Sequence, residues 1–204
     1  MLSTFSLCCA LVLATSPQDA QPRPLFDGKT LAGWITPEDA SLFSVEDGTI
    51  VGHTKEGQLK KNEFLVTDRE FGDFLLKARV KIEGGNSGIQ VRSRRAPNGA
   101  VAGPQVDIAD EYWGVLYDEG GTRGIIERFD PARIGSIARK GDWNDLAIEM
   151  KGNHLKVTLN GTVIIDREDP LFPPRGVIGL QVHVGPSMTV RFKDLSIQEL
   201  GPKP

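Results

Sequence analysis

The stretch FLLKARVKI, Phe74 to Ile82, carries an apolar side chain at every second position, and GIQVRSR, Gly88 to Arg94, resumes the alternation after a short gap. A period of two is that of a strand with one face in a core and the other turned away from it. The same period returns in Gln105 to Ala109, Leu146 to Met150, Leu155 to Leu159, Val163 to Ile165, Val177 to Val184 and Thr189 to Ile197. No segment holds the i, i+3, i+4, i+7 apolar pattern for three turns, so no long helix is expected. Asp47-Gly48 and Asn160-Gly161 stand between apolar runs and predict type I′ hairpins, which need positive φ at both central residues. Asn160-Gly161-Thr162 also matches a glycosylation acceptor, but the turn accounts for both of its first two residues. Many short strands without crossover helices predict an all-β fold, a jelly-roll sandwich of two antiparallel sheets. The longest irregular stretch, Asp118 to Asp142, is expected to be a loop that rims a binding face.

The composition agrees with that class. The chain has 204 residues with 23 Gly and 13 Pro, is 39% hydrophobic and 25% charged, and carries a formal net charge of −3. That length supports one sizeable core, and scattered Lys and Arg with a slightly negative balance give no footprint for nucleic acid. Met1 to Ala14 (MLSTFSLCCALVLA) has no charged side chain, is mostly apolar and ends in small residues. It reads as a signal peptide, too short to span a membrane, with cleavage after Ala14 or Ala20 and a single domain over residues 21–204. Cys8 and Cys9 both lie within it, preceded by Phe5, Ser6 and Leu7 rather than a lipoprotein signal, so no lipid anchor is expected. The mature chain then holds no cysteine, which removes disulfides and thiolate chemistry and suits a secreted or periplasmic protein of a bacterial envelope.

Several chemistries are absent. No two glycines lie two residues apart, so there is no G-x-G-x-x-G loop, and no P-loop is present either. Nucleotide, flavin and haem cofactors are not expected. His53, His154 and His183 are the only histidines and do not form an H-E-x-x-H site. What remains is a set of polar residues that alternate with aliphatic ones. Gln90, Arg92 and Arg94 oppose Ile89 and Val91; Gln105 and Asp107 oppose Val106 and Ile108; Gln181 and His183 oppose Leu180 and Val182. Side chains with directional hydrogen bonding, gathered on one face, suit sugar hydroxyls and carbonyls. Trp113 and Tyr117 are expected to add apolar surface for a sugar ring.

At these residues the chain resembles the bacterial 3-keto-disaccharide hydrolases, also described as 3-keto-glucoside 1,2-lyases and 3-keto-2-hydroxy-glucal hydratases. The resemblance rests on LFDGKTLAGW (Leu25 to Trp34), GNSGIQVR (Gly85 to Arg92), Trp143-Asn144, the Leu159 to Gly161 hairpin, GVIGLQVHVG (Gly176 to Gly185) and the VRFKDLSIQEL strand. It implies a concanavalin-like jelly roll and an exported protein that acts on sugars. The family's central strand commonly reads E-[VY]-Q-[IL]-x-D, whereas this chain has Gln105-Val106-Asp107-Ile108-Ala109-Asp110. Gln105 stands where the glutamate is usual and Asp107 where the glutamine is usual, so the acid stays on the same face, displaced by roughly 7 Å.

The resulting expectation is an enzyme that cleaves 3-keto-glycosides. A C3 ketone acidifies the C2 hydrogen, a base removes it as the C1 oxygen leaves, and water then adds to the enone. Asp107 and His183 are the expected base and acid, in an order left open, and Arg92 or a divalent cation is expected to stabilise the enolate. Asn86, Gln90, Gln105, Gln181 and Tyr117 would hold hydroxyls. An Arg92 close to Asp107 would keep that carboxylate ionised and make His183 the proton carrier. A non-catalytic carbohydrate-binding module on the same sandwich is the second expectation. A laminarinase-like hydrolase ranks last, because Gln105 would occupy its nucleophile position and cannot act as one. The oligomeric state is left open.

Overall fold

The structure, a computed structural model, describes residues 21–109 and 113–201. The segment read above as a signal peptide and Asp110 lie outside the described residues. Fifteen strands are described. They are β1 (Arg23–Pro24), β2 (Trp34–Ile35), β3 (Phe43–Glu46), β4 (Thr49–Thr54), β5 (Glu63–Thr67), β6 (Phe74–Glu83), β7 (Ser87–Arg95) and β8 (Val101–Ile108). The second half adds β9 (Val115–Glu119), β10 (Gly124–Arg128), β11 (Asn144–Lys151), β12 (His154–Leu159), β13 (Thr162–Glu168), β14 (Val177–Val182) and β15 (Met188–Glu199).

Two antiparallel sheets face each other. One runs β13-β12-β11-β6-β15-β4-β3, with β1 paired to β15; the other runs β10-β9-β8-β7-β14-β5-β2. The alternation in the sequence decides which side chains meet between them. Leu76, Val80, Ile148, Val190 and Phe192 of the first sheet share one buried cluster with Ile89, Val106, Ile108, Leu116, Ile178 and Leu180 of the second. Burying side chains of this size stabilises by roughly 1.5–3 kcal/mol each relative to exposure. Both hairpins form as expected, with Asp47 at φ 46° and Gly48 at 73°, and Asn160 at 48° and Gly161 at 84°. The Asn160 amide nitrogen donates to the Ile137 carbonyl and to Asn144 Oδ1, so the amide of the acceptor motif is engaged within the fold.

Two expectations require correction. The stretch from Asp118 to Asp142 is not a single loop: it includes the end of β9, all of β10 and a short helix, α1 (Pro131–Ile134), capped by Asp130. Its strand was hidden because Ile125-Ile126 breaks the alternation, and β10 indeed carries an irregular register against β9 between Ile125 and Glu127. The second correction is in β7. Gln90 faces Gln105, but Arg94 faces Ala102; on the other side Gly179 faces Gln90, but Val177 faces Ser93. Both neighbours thus register one extra residue in β7, and Arg92 sits there at φ 45°. A bulge of this kind reverses which face the following side chains take.

Candidate functional site

A cleft of about 740 Å³ opens on the face of the seven-stranded sheet turned away from the core. β8 contributes Gln105 and Asp107, β9 contributes Tyr117 and Glu119, and the segment after β14 contributes His183. Asn86 and Asn62 precede β7 and β5 and complete the polar wall, while Ile125 of β10, 49% exposed, forms an apolar one. Gln105 lies flat across Gly88, where a Cβ would come 2.5 Å from its Cδ. Only glycine leaves that space.

Beneath the cleft runs a chain of hydrogen bonds with fixed direction. Ser93 Oγ donates to Gln90 Oε1, Gln90 Nε2 to Gln105 Oε1 at 2.8 Å, and Gln105 Nε2 to Asp107 Oδ1 at 2.8 Å and to Gln181 Oε1 at 3.4 Å. Gln181 Nε2 and Asn62 Nδ2 then donate to the two oxygens of Glu119, at 3.4 and 2.9 Å. Buried amides with every strong donor aimed at an acceptor form a rigid layer, since each would be costly to strand.

Asp107 is 5% exposed, and its pKa is pushed up to about 7. Burial is the chief cause; the Gln105 amide opposes it, the Glu119 charge adds to it and Arg128 opposes it. A carboxyl group with that affinity exchanges protons near neutral pH, as a general base or acid must. His183 Nδ1 meets the carbonyl oxygen of Val184, so that nitrogen carries the proton of the neutral ring and Nε2 holds the lone pair. Asn86 Oδ1 is buried without a hydrogen-bond partner, an acceptor ready for a ligand hydroxyl. Among the described residues, no three His, Cys, Asp or Glu side chains gather as a metal cage, and both cleft carboxylates already accept from amides. The described donor set therefore does not fit the expected divalent cation.

The model of the 3-keto-alpha-glucoside-1,2-lyase-like domain matches residues 21–198. The chain belongs to this family. Among curated proteins, none matches it at a significant level. Among solved structures, a provisionally assigned glycosyl hydrolase of Parabacteroides distasonis is similar at 22% identity and a TM-score of 0.63, over 88% of this chain and 94% of that one. The carbohydrate-binding module CBM66 of Bacillus subtilis is similar at 18% identity and 0.61, over 82% and 96%. A β-glucanase of Bacillus licheniformis is similar at 13% identity and 0.58, over 91% and 100%. At these identities the structures share the fold, and they place the lyase-like domain among concanavalin-like jelly rolls.

Within this family domain, Asn86, Gln105, Asp107, Tyr117 and His183 meet at the cleft. Gln90 and Gln181 are fully buried below it and act through Gln105 rather than as cleft lining. Arg92 is not on this face. Turned by the bulge, it is 0% exposed, bonded to Asp73 at 2.5 Å and to the carbonyls of Gly72, Gly152 and Pro173. It neither pairs with Asp107 nor reaches a ligand in the cleft, so it does not hold that carboxylate ionised. Trp113 is 3% exposed in the core cluster, not a sugar platform. The sequence reading missed Glu119 and Asn62. Glu119 follows Tyr117 at period two and was legible on that ground, whereas Asn62 precedes its strand and had no signal.

Proposed function

We propose that the protein cleaves a 3-keto-glucoside by elimination across C1 and C2, with Asp107 as the base. The ionised carboxylate takes the C2 proton, and the C2–H electron pair passes into the enolate of the C3 ketone. Collapse of the enolate forms C1=C2 and expels the glycosidic oxygen at C1, which takes a proton from the protonated His183 ring or from water. Water then adds to C1 of the enone and gives its proton to the group that protonated the leaving oxygen, the neutral His183 ring or hydroxide, while protonated Asp107 returns its proton to C2, so that both acid and base are restored. Of the residues that line the cleft, the Tyr117 hydroxyl and the Asn86 amide are the neutral donors suited to the developing C3 oxyanion. The observation that carries this reading is a buried carboxyl group, raised to about 7, in the cleft of a lyase-like family domain.

The experiment incubates the full chain and its Asp107→Asn variant with a 3-keto-glucoside and with the parent glucoside, with and without chelator. The expected result is turnover of the keto substrate alone, indifferent to chelator, and a loss on the order of 10² to 10⁴ in kcat for the variant. Sugar binding without turnover in the wild type would make the domain a carbohydrate-binding module instead. Loss of turnover with chelator would overturn the metal-free steps.

A further inference from the structure

Glu119 stands at the end of β9 on the rim of the cleft, and both of its oxygens are already used within the protein. Asn62 Nδ2 donates to Oε1 at 2.9 Å, and Gln181 Nε2 donates to Oε2 at 3.4 Å. Each arm leads to a different candidate proton carrier. Along the first, Asn62 Oδ1 accepts from the Val184 N–H at 3.0 Å, and Val184 is the residue whose carbonyl oxygen meets His183 Nδ1. Along the second, Gln181 Oε1 accepts from Gln105, whose other amide hydrogen is given to Asp107.

We propose that Glu119 is a positioning residue that ties the His183–Val184 segment and the Asp107 carboxylate into one polar unit, and that it does not itself touch the reacting atoms. The inference rests on the reading of Asp107 as the base. A carboxylate is required at this position because it alone accepts on both oxygens; an amide would set its own NH₂ against the NH₂ of Asn62 or of Gln181. Among the described residues, the groups that face Asp107 are few. β7 presents Gly88 opposite it, β9 brings Tyr117 and the Glu119 charge, β10 brings Arg128, and His183 lines the same cleft. Glu119 is the anion among them, so removal of its charge eases ionisation of Asp107.

The test compares Glu119→Gln, Asn62→Ala and Asp107→Asn in the full chain, with unfolding curves to confirm that each folds. Two readouts are taken: the pH profile of kcat/KM on a 3-keto-glucoside, and a ¹³C carboxyl titration of Asp107 in the ligand-free protein. For Glu119→Gln the expected outcome is an acid limb and an Asp107 titration that both move to lower pH, with kcat reduced about tenfold and KM within about threefold. Asn62→Ala, which keeps the charge and loosens one arm, should lower kcat without the same movement of the limb. An unmoved titration and an unchanged kcat in Glu119→Gln would overturn the inference. So would a loss at every pH as complete as that of Asp107→Asn, since Glu119 would then act on the substrate directly. Turnover retained by Asp107→Asn would instead sink the assignment of the base, and the carboxyl titration would still decide whether Glu119 governs Asp107.

Discussion

Arg92 has no contact with water, and its guanidinium meets one carboxylate and three backbone carbonyls at 2.5–3.3 Å. Burial alone lowers its pKa, and Asp73 works in the opposite direction, so the charge is held by its partners. Truncation would leave Asp73 without its guanidinium and three carbonyls without a donor, a loss of about 3–5 kcal/mol for a broken buried pair. Arg92→Ala should therefore unfold at a markedly lower temperature, while the fraction that remains folded keeps its affinity for sugar. A variant with wild-type melting and selectively weakened binding would return Arg92 to the cleft. Asp107 and His183 were legible because simple alternation holds up to their positions. The buried pair of Arg92 was not, since a strand read at period two gives no warning of an inserted residue. Asp73, its partner, sits 19 residues away in the turn before β6 and carries no local signal at all.

At the scale of the elements, the bulge in β7 and the glycine opposite Asp107 build the site together. The bulge turns Arg92 inward to close one end of the sandwich, and the straight half of the strand, from Ser87 to Gln90, pairs beside β8 and forms the floor under the Gln105 side chain. Gly88 lets Gln105 lie close enough to that floor to donate to Asp107 and Gln181 at once. An added methyl group there must push Gln105 aside, and overpacking of this kind costs about 1–3 kcal/mol. Gly88→Ala is expected to retain a native circular dichroism spectrum but to lose at least about tenfold in kcat/KM, because the displaced amide no longer orients the carboxylate. Unchanged kinetics would mean that the Gln105 contact is ornamental. The motif Gly85 to Arg92 thus splits in two: Asn86 reaches the cleft, Gly88 and Gln90 support it, and Arg92 secures the frame. Of the other motifs, Gly176 to Gly185 brings His183 to the cleft and Gln181 beneath it, while the rest behave like Arg92. Trp34 Nε1 donates to the Leu25 carbonyl, and Asn144 and Asn160 pin the segment after α1. Residues that carry a family likeness in sequence are here mostly those that hold the sandwich, which is why the fold was more legible than the site.

For the whole molecule, the buried acid should leave a mark on stability as well as on turnover. Asp107 ordinarily titrates near 3.8, and in the folded protein near 7. A carboxyl whose folded pKa is raised binds its proton more tightly in the native state, so the native state is favoured while that proton stays on. Below about pH 4 both states are protonated and the group contributes nothing. Between about 4 and 7 the unfolded chain ionises while the folded one does not, and stability falls as pH rises. Above 7 both are ionised and the penalty is complete, on the order of 4 kcal/mol for a shift of about three units. The lowered pKa values of Asp27, Asp39 and Asp169 bend the curve at the acid end, but they do so equally in any variant that leaves them alone. The difference between wild type and Asp107→Asn therefore isolates the one group, and asparagine can still accept from Gln105 through its carbonyl oxygen. Urea unfolding of both proteins from pH 4 to pH 8 should show the variant gain on the wild type steadily up to about pH 7 and then run parallel to it. A difference that stays flat across that range would mean that Asp107 is ionised in the folded state throughout, and with it would go the physical reason to regard that carboxylate as a base tuned to neutral pH.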